Sequence, residues 1–198
     1  MLAVRLLAEL LDLVSRAYNK FIRGNIIKSR FGKCGSKVWI GKNFIVSNPR
    51  NISIGEYTHI GPNVLMYATL KKINIGKCVM IAPKVIVVTG NHRTDIIGEY
   101  MSFVTDKHKL PENDKDVVIE DDVWIGSGCI IMMGVTIGRG SIIHAGQIIT
   151  RNVPPYTIYI NEKLKAKRFT NEQIIEHEKL LFEKYGKKVK NSGKRHGT

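Results

Sequence analysis

The chain has 198 residues and a mass of 22.3 kDa, enough for one ordinary domain with short appendages and too little for a multidomain machine. Its 43% hydrophobic and 24% charged residues fit a globular chain with a core and exclude disordered, collagenous and membrane-embedded classes. The net charge of +14 sits at the two ends: residues 1–37 carry eight Lys/Arg against two acids, 163–198 eleven against four, and 38–162 twelve against eleven. That distribution suits anionic cofactors or a membrane surface and speaks against a general nucleic-acid-binding face.

The first 23 residues place Ala3, Leu6, Leu7, Leu10, Leu13, Val14, Ala17, Tyr18 and Phe21 on one helical stripe, with Arg5, Glu9, Asp12, Arg16 and Arg23 opposite. The period predicts an amphipathic helix, and Glu9 and Asp12 interrupt what an export signal or a membrane span would need as an unbroken apolar run. Two readings of the stripe remain. It packs on its own body or a neighbouring subunit, or it lies on an anionic membrane surface, which Arg16, Lys20, Arg23, Lys28 and Arg30 would favour. We assign residues 1–37 to this N-terminal helical segment. Cys34, Cys78 and Cys129 are far apart with no CxxC pair, which argues against a disulfide framework or thiolate zinc site and for a reducing, cytoplasmic setting.

From residue 38 the chain repeats. Ile119, Ile125, Ile131, Ile137, Ile143 and Ile149 recur at every sixth position, as do Ile54, Ile60, Met66 and then Ile75, Ile81, Val87, with a weaker pair at Ile40 and Val46. Small or β-branched residues often stand two before these anchors, as at Val38, Thr58, Val79, Val123 and Val135, and glycine often follows directly, as at Gly41, Gly55, Gly61, Gly76, Gly126 and Gly138. A period of six is not helical and is too regular for hairpins. It predicts short strands and tight turns wound into a solenoid, with three faces closing a triangular prism of about five coils, strands ~4.8 Å apart, each anchor pointing inward and the glycine relieving the corner. The repeat is broken briefly between Met66 and Ile75 and at length between Val87 and Val117. Long insertions at solenoid corners are disproportionately functional, which singles out the loop 89–116.

After this body, assigned to residues 38–169, Thr170 precedes Gln173 in a capping-box spacing and Ile174, Ile175, Leu180, Leu181 and Phe182 follow. A short helix ending at Gly186 is expected, then a frayed basic tail over 187–198. Other chemistries find no support. Gly126-x-Gly128 is followed by Ile131 and Gly138-x-Gly140 by Ile143, so the dinucleotide-binding glycine string fails; no phosphate-binding P-loop, HExxH or Gly-x-Ser-x-Gly exists.

The Ile/Leu/Val-Gly-x-x-(small or Val)-x pattern over roughly 38–169 resembles the left-handed parallel β-helix of the hexapeptide-repeat acyltransferases. The order Gly90-Asn91-His92-Arg93, a loop, then Asp121-Asp122-Val123-Trp124-Ile125-Gly126-Ser127-Gly128 resembles the branch of sugar and polysaccharide O-acetyltransferases and xenobiotic acetyltransferases. The resemblance implies an all-β, left-handed parallel β-helix with short terminal helices, against the usual right-handed crossover preference.

It also implies acetyl-CoA as acyl donor, no metal, and a homotrimer with active sites between subunits, across which the loop 89–116 reaches. The absence of a His-x4-His pair agrees with the metal-free expectation. Moving acetyl from a thioester to a hydroxyl needs a base titrating near neutrality, and His92, at the loop mouth between Asn91 and Arg93, matches the family's catalytic histidine. His59, His108, His144 and His177 have no comparable claim. Asn91 and Trp124 are the expected acceptor-binding residues. Gly134, Ala145 and Gly146 offer close backbone approach for the pantetheine arm and oxyanion donors. Thr150, Arg151, Lys165, Lys167 and Arg168 are expected near the phosphates; the family's Gly-Asn-Pro-Ala-Lys is absent here, where the chain reads Tyr159-Ile160-Asn161-Glu162-Lys163.

The implied acceptor is a sugar hydroxyl in a surface polysaccharide or its precursor. An amine on an amino-sugar nucleotide or an antibiotic is the enzymatic alternative, with Asp95, Glu99 or Asp106 binding the amine, and a non-catalytic solenoid scaffold is the rival from another class.

Overall fold

The computed structural model describes residues 1–18, 22–97, 99–161 and 163–192; Phe21 of the expected stripe, Lys20 of the basic residues that follow it, Glu162 and the last six residues of the expected tail lie outside them. Helix α1 (Leu2–Tyr18) and helix α2 (Gly24–Ser29) precede seventeen strands. The first nine are β1 (Lys33–Cys34), β2 (Trp39–Ile40), β3 (Ile45–Ser47), β4 (Ile52–Ile54), β5 (His59–Ile60), β6 (Leu65–Tyr67), β7 (Ile73–Ile75), β8 (Met80–Ile81) and β9 (Ile86–Val88). After the insertion come β10 (Val117–Ile119), β11 (Trp124–Ile125), β12 (Ile130–Ile131), β13 (Thr136–Ile137), β14 (Ile142–Ile143) and β15 (Ile148–Ile149), then β16 (Thr157–Ile160), β17 (Lys163–Lys167) and helix α3 (Asn171–Ser192).

Successive strands go to three different sheets in rotation. Sheet A runs β1-β4-β7-β10-β13, sheet B β17-β16-β14-β11-β8-β5-β2, and sheet C β15-β12-β9-β6-β3. Every pairing between solenoid strands is parallel; only β16 with β17 is antiparallel. The register stacks like on like: Ile54 opposes Ile75, Ile60 opposes Ile81, and Ile131 lies between Val87 and Ile149. The anchors of all three sheets enter one core cluster. All are buried apart from Val46, which is half-buried against it. The six-residue period therefore marks the inward position of each short strand.

The glycines after the anchors work differently from the expectation. Positive φ falls three residues past the anchor, at Asn43, Tyr57, Asn63, Cys78, Lys84 and Asp122, then at Gly128, Gly134, Gly140 and Gly146. The glycine directly after an anchor instead lets neighbouring coils approach. A Cβ on Gly126 would stand 2.5 Å from the Ala145 nitrogen and 2.8 Å from its Cα. Because the obstacle is backbone, Gly126→Ala should lower stability by ~1–3 kcal/mol through overpacking, read as a fall in the denaturant midpoint at unchanged slope.

All interruptions of the six-residue period before the regular run lie on the turn from sheet C to sheet A: between β3 and β4, between β6 and β7, and, longest, between β9 and β10. The first of these, with Asn48 in the left-handed region ahead of Pro49, adds to the two breaks expected from sequence.

Both ends of the core are covered. Sheet A begins at Lys33, ahead of the boundary expected at 38, and Ile27 of α2 and Phe31 join the core, Phe31 edge-on to Phe44 at 6.1 Å. No α1 residue joins that core, so packing of the stripe on its own body is not realised among the described residues. At the other end Tyr159 is buried, and Tyr156 stands against Phe169 and His177. Helix α3 opens with the expected capping box, Gln173 N–H donating to Thr170 Oγ1 at 3.2 Å and Thr170 N–H to Gln173 Oε1 at 2.9 Å. It then passes through Gly186 to Ser192, because one glycine costs a helix only ~1 kcal/mol and does not end it without a terminating turn.

Candidate functional site

The long insertion leaves sheet C after β9 and returns to sheet A at β10. Its base is clamped by backbone bonds: Lys115 N–H donates to the Thr89 carbonyl at 2.8 Å and Asn91 N–H to the Asn113 carbonyl at 2.9 Å. Thr89 Oγ1 adds a bond to the Tyr67 carbonyl at 3.1 Å. Inside the loop, buried Asp114 meets Lys109 Nζ at 3.1 Å, and the same ammonium reaches Asp106 at 3.0 Å. Burial opposes charge on Lys109, yet Asp106 and Asp114 together hold its ammonium above the usual lysine range. Arg93 is forked onto Asp95 at 2.7 and 3.2 Å. These contacts give an exposed loop a fixed shape.

His92 stands just beyond this clamp with its ring exposed. Its Nδ1 lies 3.2 Å from the carbonyl oxygen of buried Val104. A carbonyl only accepts, so this bond places the proton of the neutral ring on Nδ1 and leaves the lone pair on Nε2. That arrangement suits a base whose ring is held and whose reactive nitrogen is open to an acceptor.

The other described histidines lie elsewhere. His108 Nδ1 accepts the Thr105 N–H at 3.0 Å, His59 lies beside Trp39 on sheet B, His144 is exposed past β14, and His177 faces Asp122 at 3.6 Å. Among the described residues no group of His, Cys, Asp and Glu could hold a metal ion.

Several expected residues share the edge that carries His92. Gly134, Thr150 and Arg151 follow β12 and β15 of sheet C, on the same turn as the insertion but in the two coils beyond it. Lys115 lies beside Gly134, where an added Cβ would stand 3.0 Å from its Cδ. Asn91 is at the loop mouth and exposed. Other expected residues are not brought there within one chain. Trp124 is half exposed on the outer face of sheet B, paired with Met80 and Ile142, and sheet B does not border the turn from C to A. Ala145 and Gly146 occupy the turn from B to C. Gly134 and Gly146 both have positive φ, so corner geometry already accounts for them as glycines.

Lys165 lies in β17, and exposed Lys167 donates to Asn171 Oδ1 at 3.0 Å. Arg168, expected near the phosphates, is hydrogen-bonded within the chain. Its Nη1 donates to Asp122 Oδ2 at 2.9 Å and to the Gly140 carbonyl at 3.0 Å, bracketing the C-terminal segment to the turn from A to B. Arg139 to Glu178 at 2.8 Å and Tyr156 OH to Glu178 complete that bracket. The Val104 carbonyl and the Lys109–Asp114 pair were not foreseen. A backbone acceptor has no residue signature, and the pair could have been sought only as opposite charges within one loop.

The outer faces differ in character. Sheet C carries an aliphatic column, Ile45-Leu65-Ile86-Ile130-Ile148, and sheet B shows Trp39, Met80 and Trp124, all exposed. The outward positions of sheet A are Lys33, Ser53, Asn74, Val118 and Thr136. Two surface clefts, one lined by Asn74, Gly76, Glu120 and Arg139 and one by Lys167 to Gln173, do not include His92.

Residues 116–151 match the family described as the hexapeptide repeat of succinyl-transferase. The galactoside O-acetyltransferase of Escherichia coli (strain K12) is 32% identical over 155 residues, covering 76% of this chain and 70% of that protein. Among solved structures, a hexapeptide-repeat acetyltransferase from Vibrio cholerae O1 biovar eltor complexed with acetyl coenzyme A superposes with a TM-score of 0.59 at 31% identity, over 72% of this chain and 76% of that one. A galactoside acetyltransferase in complex with coenzyme A gives 0.62 at 27% identity, over 76% and 72% respectively.

Proposed function

Since this chain belongs to the hexapeptide-repeat acyltransferases, we propose that it moves an acetyl group from acetyl-CoA to a sugar hydroxyl, with Nε2 of His92 as the base. The observation that carries this reading is the Nδ1 contact to the Val104 carbonyl at 3.2 Å. It orients the one histidine that stands at the mouth of the clamped loop. The donor is supported by the acetyl-CoA and coenzyme A complexes of the relatives, and the sugar hydroxyl by the galactoside O-acetyltransferase likeness.

In the proposed reaction His92 Nε2 takes the hydroxyl proton as the oxygen attacks the thioester carbonyl. Backbone N–H groups along the turn from C to A would meet the developing oxyanion. The C–O bond forms, the C–S bond breaks, and the imidazolium returns its proton to the departing thiolate. Gly134 lies one coil beyond His92 and Thr150 and Arg151 two coils beyond, a path of ~10 Å at ~4.8 Å per coil. A pantetheine arm lying along that edge would carry its phosphates toward Thr150 and Arg151.

The sheet rotation and single core support our reading of a triangular prism of about five coils, and the family likeness supports its left-handed sense. Two apolar outer faces beside one polar face suit a threefold assembly, in which unlike faces of neighbouring subunits meet. Such an assembly would bring Trp124, Ala145 and Gly146 of one subunit to the His92 loop of another. The acceptor we favour is a glycan or glycan precursor, in the cytoplasmic compartment where acetyl-CoA is available.

Free-thiol release from acetyl-CoA, measured with a panel of sugars, sugar nucleotides and amino sugars, tests this reading. Release that depends on a neutral sugar is expected. Release only with amine acceptors would move the reaction to N-acetylation. Failure of acetyl-CoA to raise the melting temperature would remove the donor, because a ligand that binds only the native state must stabilise it.

A further inference from the structure

Helix α1 carries its charges on one narrow strip. Arg5, Glu9, Asp12 and Arg16 follow one another at helical spacings, with Arg5 paired to Glu9 at 3.1 Å, and most of the remaining surface is apolar. Leu6, Leu7, Leu10, Leu11, Leu13 and Val14 are each 56–61% exposed. An unpartnered face of this breadth marks an interaction surface. The helix has 17 residues, ~26 Å at 1.5 Å per residue, and with its four charges it is too short and too polar to cross a hydrocarbon core of ~30 Å. No helix among the described residues is long and apolar enough to span a membrane.

The sequence after this helix supplies the second observation. Between Asp12 and Glu56 there is no acidic residue, while nine Lys/Arg occur, from Arg16 to Arg50. Helix α2 belongs to this run, with Lys28 in its last turn and Arg30 next to it, and Ile27 ties it to the solenoid core. The described part of this basic run, Lys28 and Arg30 included, thus lies at the end of the molecule where the apolar helix begins.

We propose that α1 lies in the plane of an anionic phospholipid surface, its leucines in the acyl boundary and the basic run against the headgroups, so that the first coil of the solenoid faces the bilayer. One occupant answers both observations. Association of α1 with copies of itself would cover the leucines but gather the like charges of every copy around one bundle. An anionic surface covers the leucines and neutralises the cations together. This inference does not depend on the acetyltransferase reading.

The test is co-sedimentation of the full chain with phosphatidylcholine vesicles and with vesicles containing about a third phosphatidylglycerol. Binding at least ~10-fold tighter to the anionic vesicles is expected, weakening as salt rises from ~0.1 to ~0.5 M. Leu7→Glu/Leu10→Glu should abolish binding, and Lys28→Glu/Arg30→Glu should remove the preference for anionic lipid. Both variants should keep the parent's melting temperature, since none of these side chains is in the core. No binding to either vesicle would overturn the proposal, as would equal binding to both. Failure to bind lipid combined with loss of self-association in the leucine variant would identify α1 as a contact between subunits instead.

Discussion

Replacing His92 by alanine is expected to lower the turnover of acetyl transfer by about 10²–10⁴-fold, the usual contribution of a positioned acid–base group, without changing the melting temperature. The first half follows from the tautomer: the Val104 carbonyl engages Nδ1 at 3.2 Å, so Nε2 is the nitrogen able to take a proton. The second follows from the ring's exposure and from the loop's independent clamp at Thr89, Asn91, Asn113 and Lys115. Stabilisation by acetyl-CoA should survive the substitution, separating loss of chemistry from loss of donor binding. A variant with near-parental turnover would remove His92 from its role and leave the loop as architecture.

Ile131→Asp is expected to abolish the cooperative fold. The side chain is fully buried, and its strand neighbours Val87 and Ile149 are fully buried too, so no solvent or counter-charge is at hand. Removing a buried aliphatic chain costs ~2–5 kcal/mol, and desolvating an unpaired carboxylate adds several more. Against a total stability of ~5–15 kcal/mol the sum is decisive. In a solenoid each coil contacts only its neighbours, so the break would also separate the coils on either side. Circular dichroism should show no cooperative melt and the protein should aggregate on expression; a soluble variant with the parental midpoint would refute the inward placement of the anchors.

The solenoid was legible because its signal is one of position: an inward residue every six places survives any variation between. The turns were harder to read. Asn43, Tyr57, Cys78 and Lys84 adopt a backbone conformation that side chains rarely enter, while the more visible glycines after the anchors mark contact between coils. Gly186 was misleading for a related reason, since a glycine inside a helix and one ending it are the same letter. The site was readable only in part. His92 stands out in the sequence by its place at the loop mouth, but the Val104 carbonyl that contacts its ring belongs to a backbone twelve residues on. Which corner each remaining candidate occupies depends on counting strands through the sheets. That count puts Trp124 and Gly134 on different sides of one chain.

The turn from sheet C to sheet A absorbs all the irregular chain lengths of the lower coils, while the other two turns keep time. The long excursion on this edge starts and finishes at neighbouring points, because Thr89 and Lys115 are hydrogen-bonded to each other. Exchanging what lies between them would change loop-closure entropy only slowly with length and would leave the strand register untouched. The architecture therefore keeps heredity of shape apart from variation in recognition: a lineage could trade one loop for another and acquire a new acceptor without having to solve its fold again.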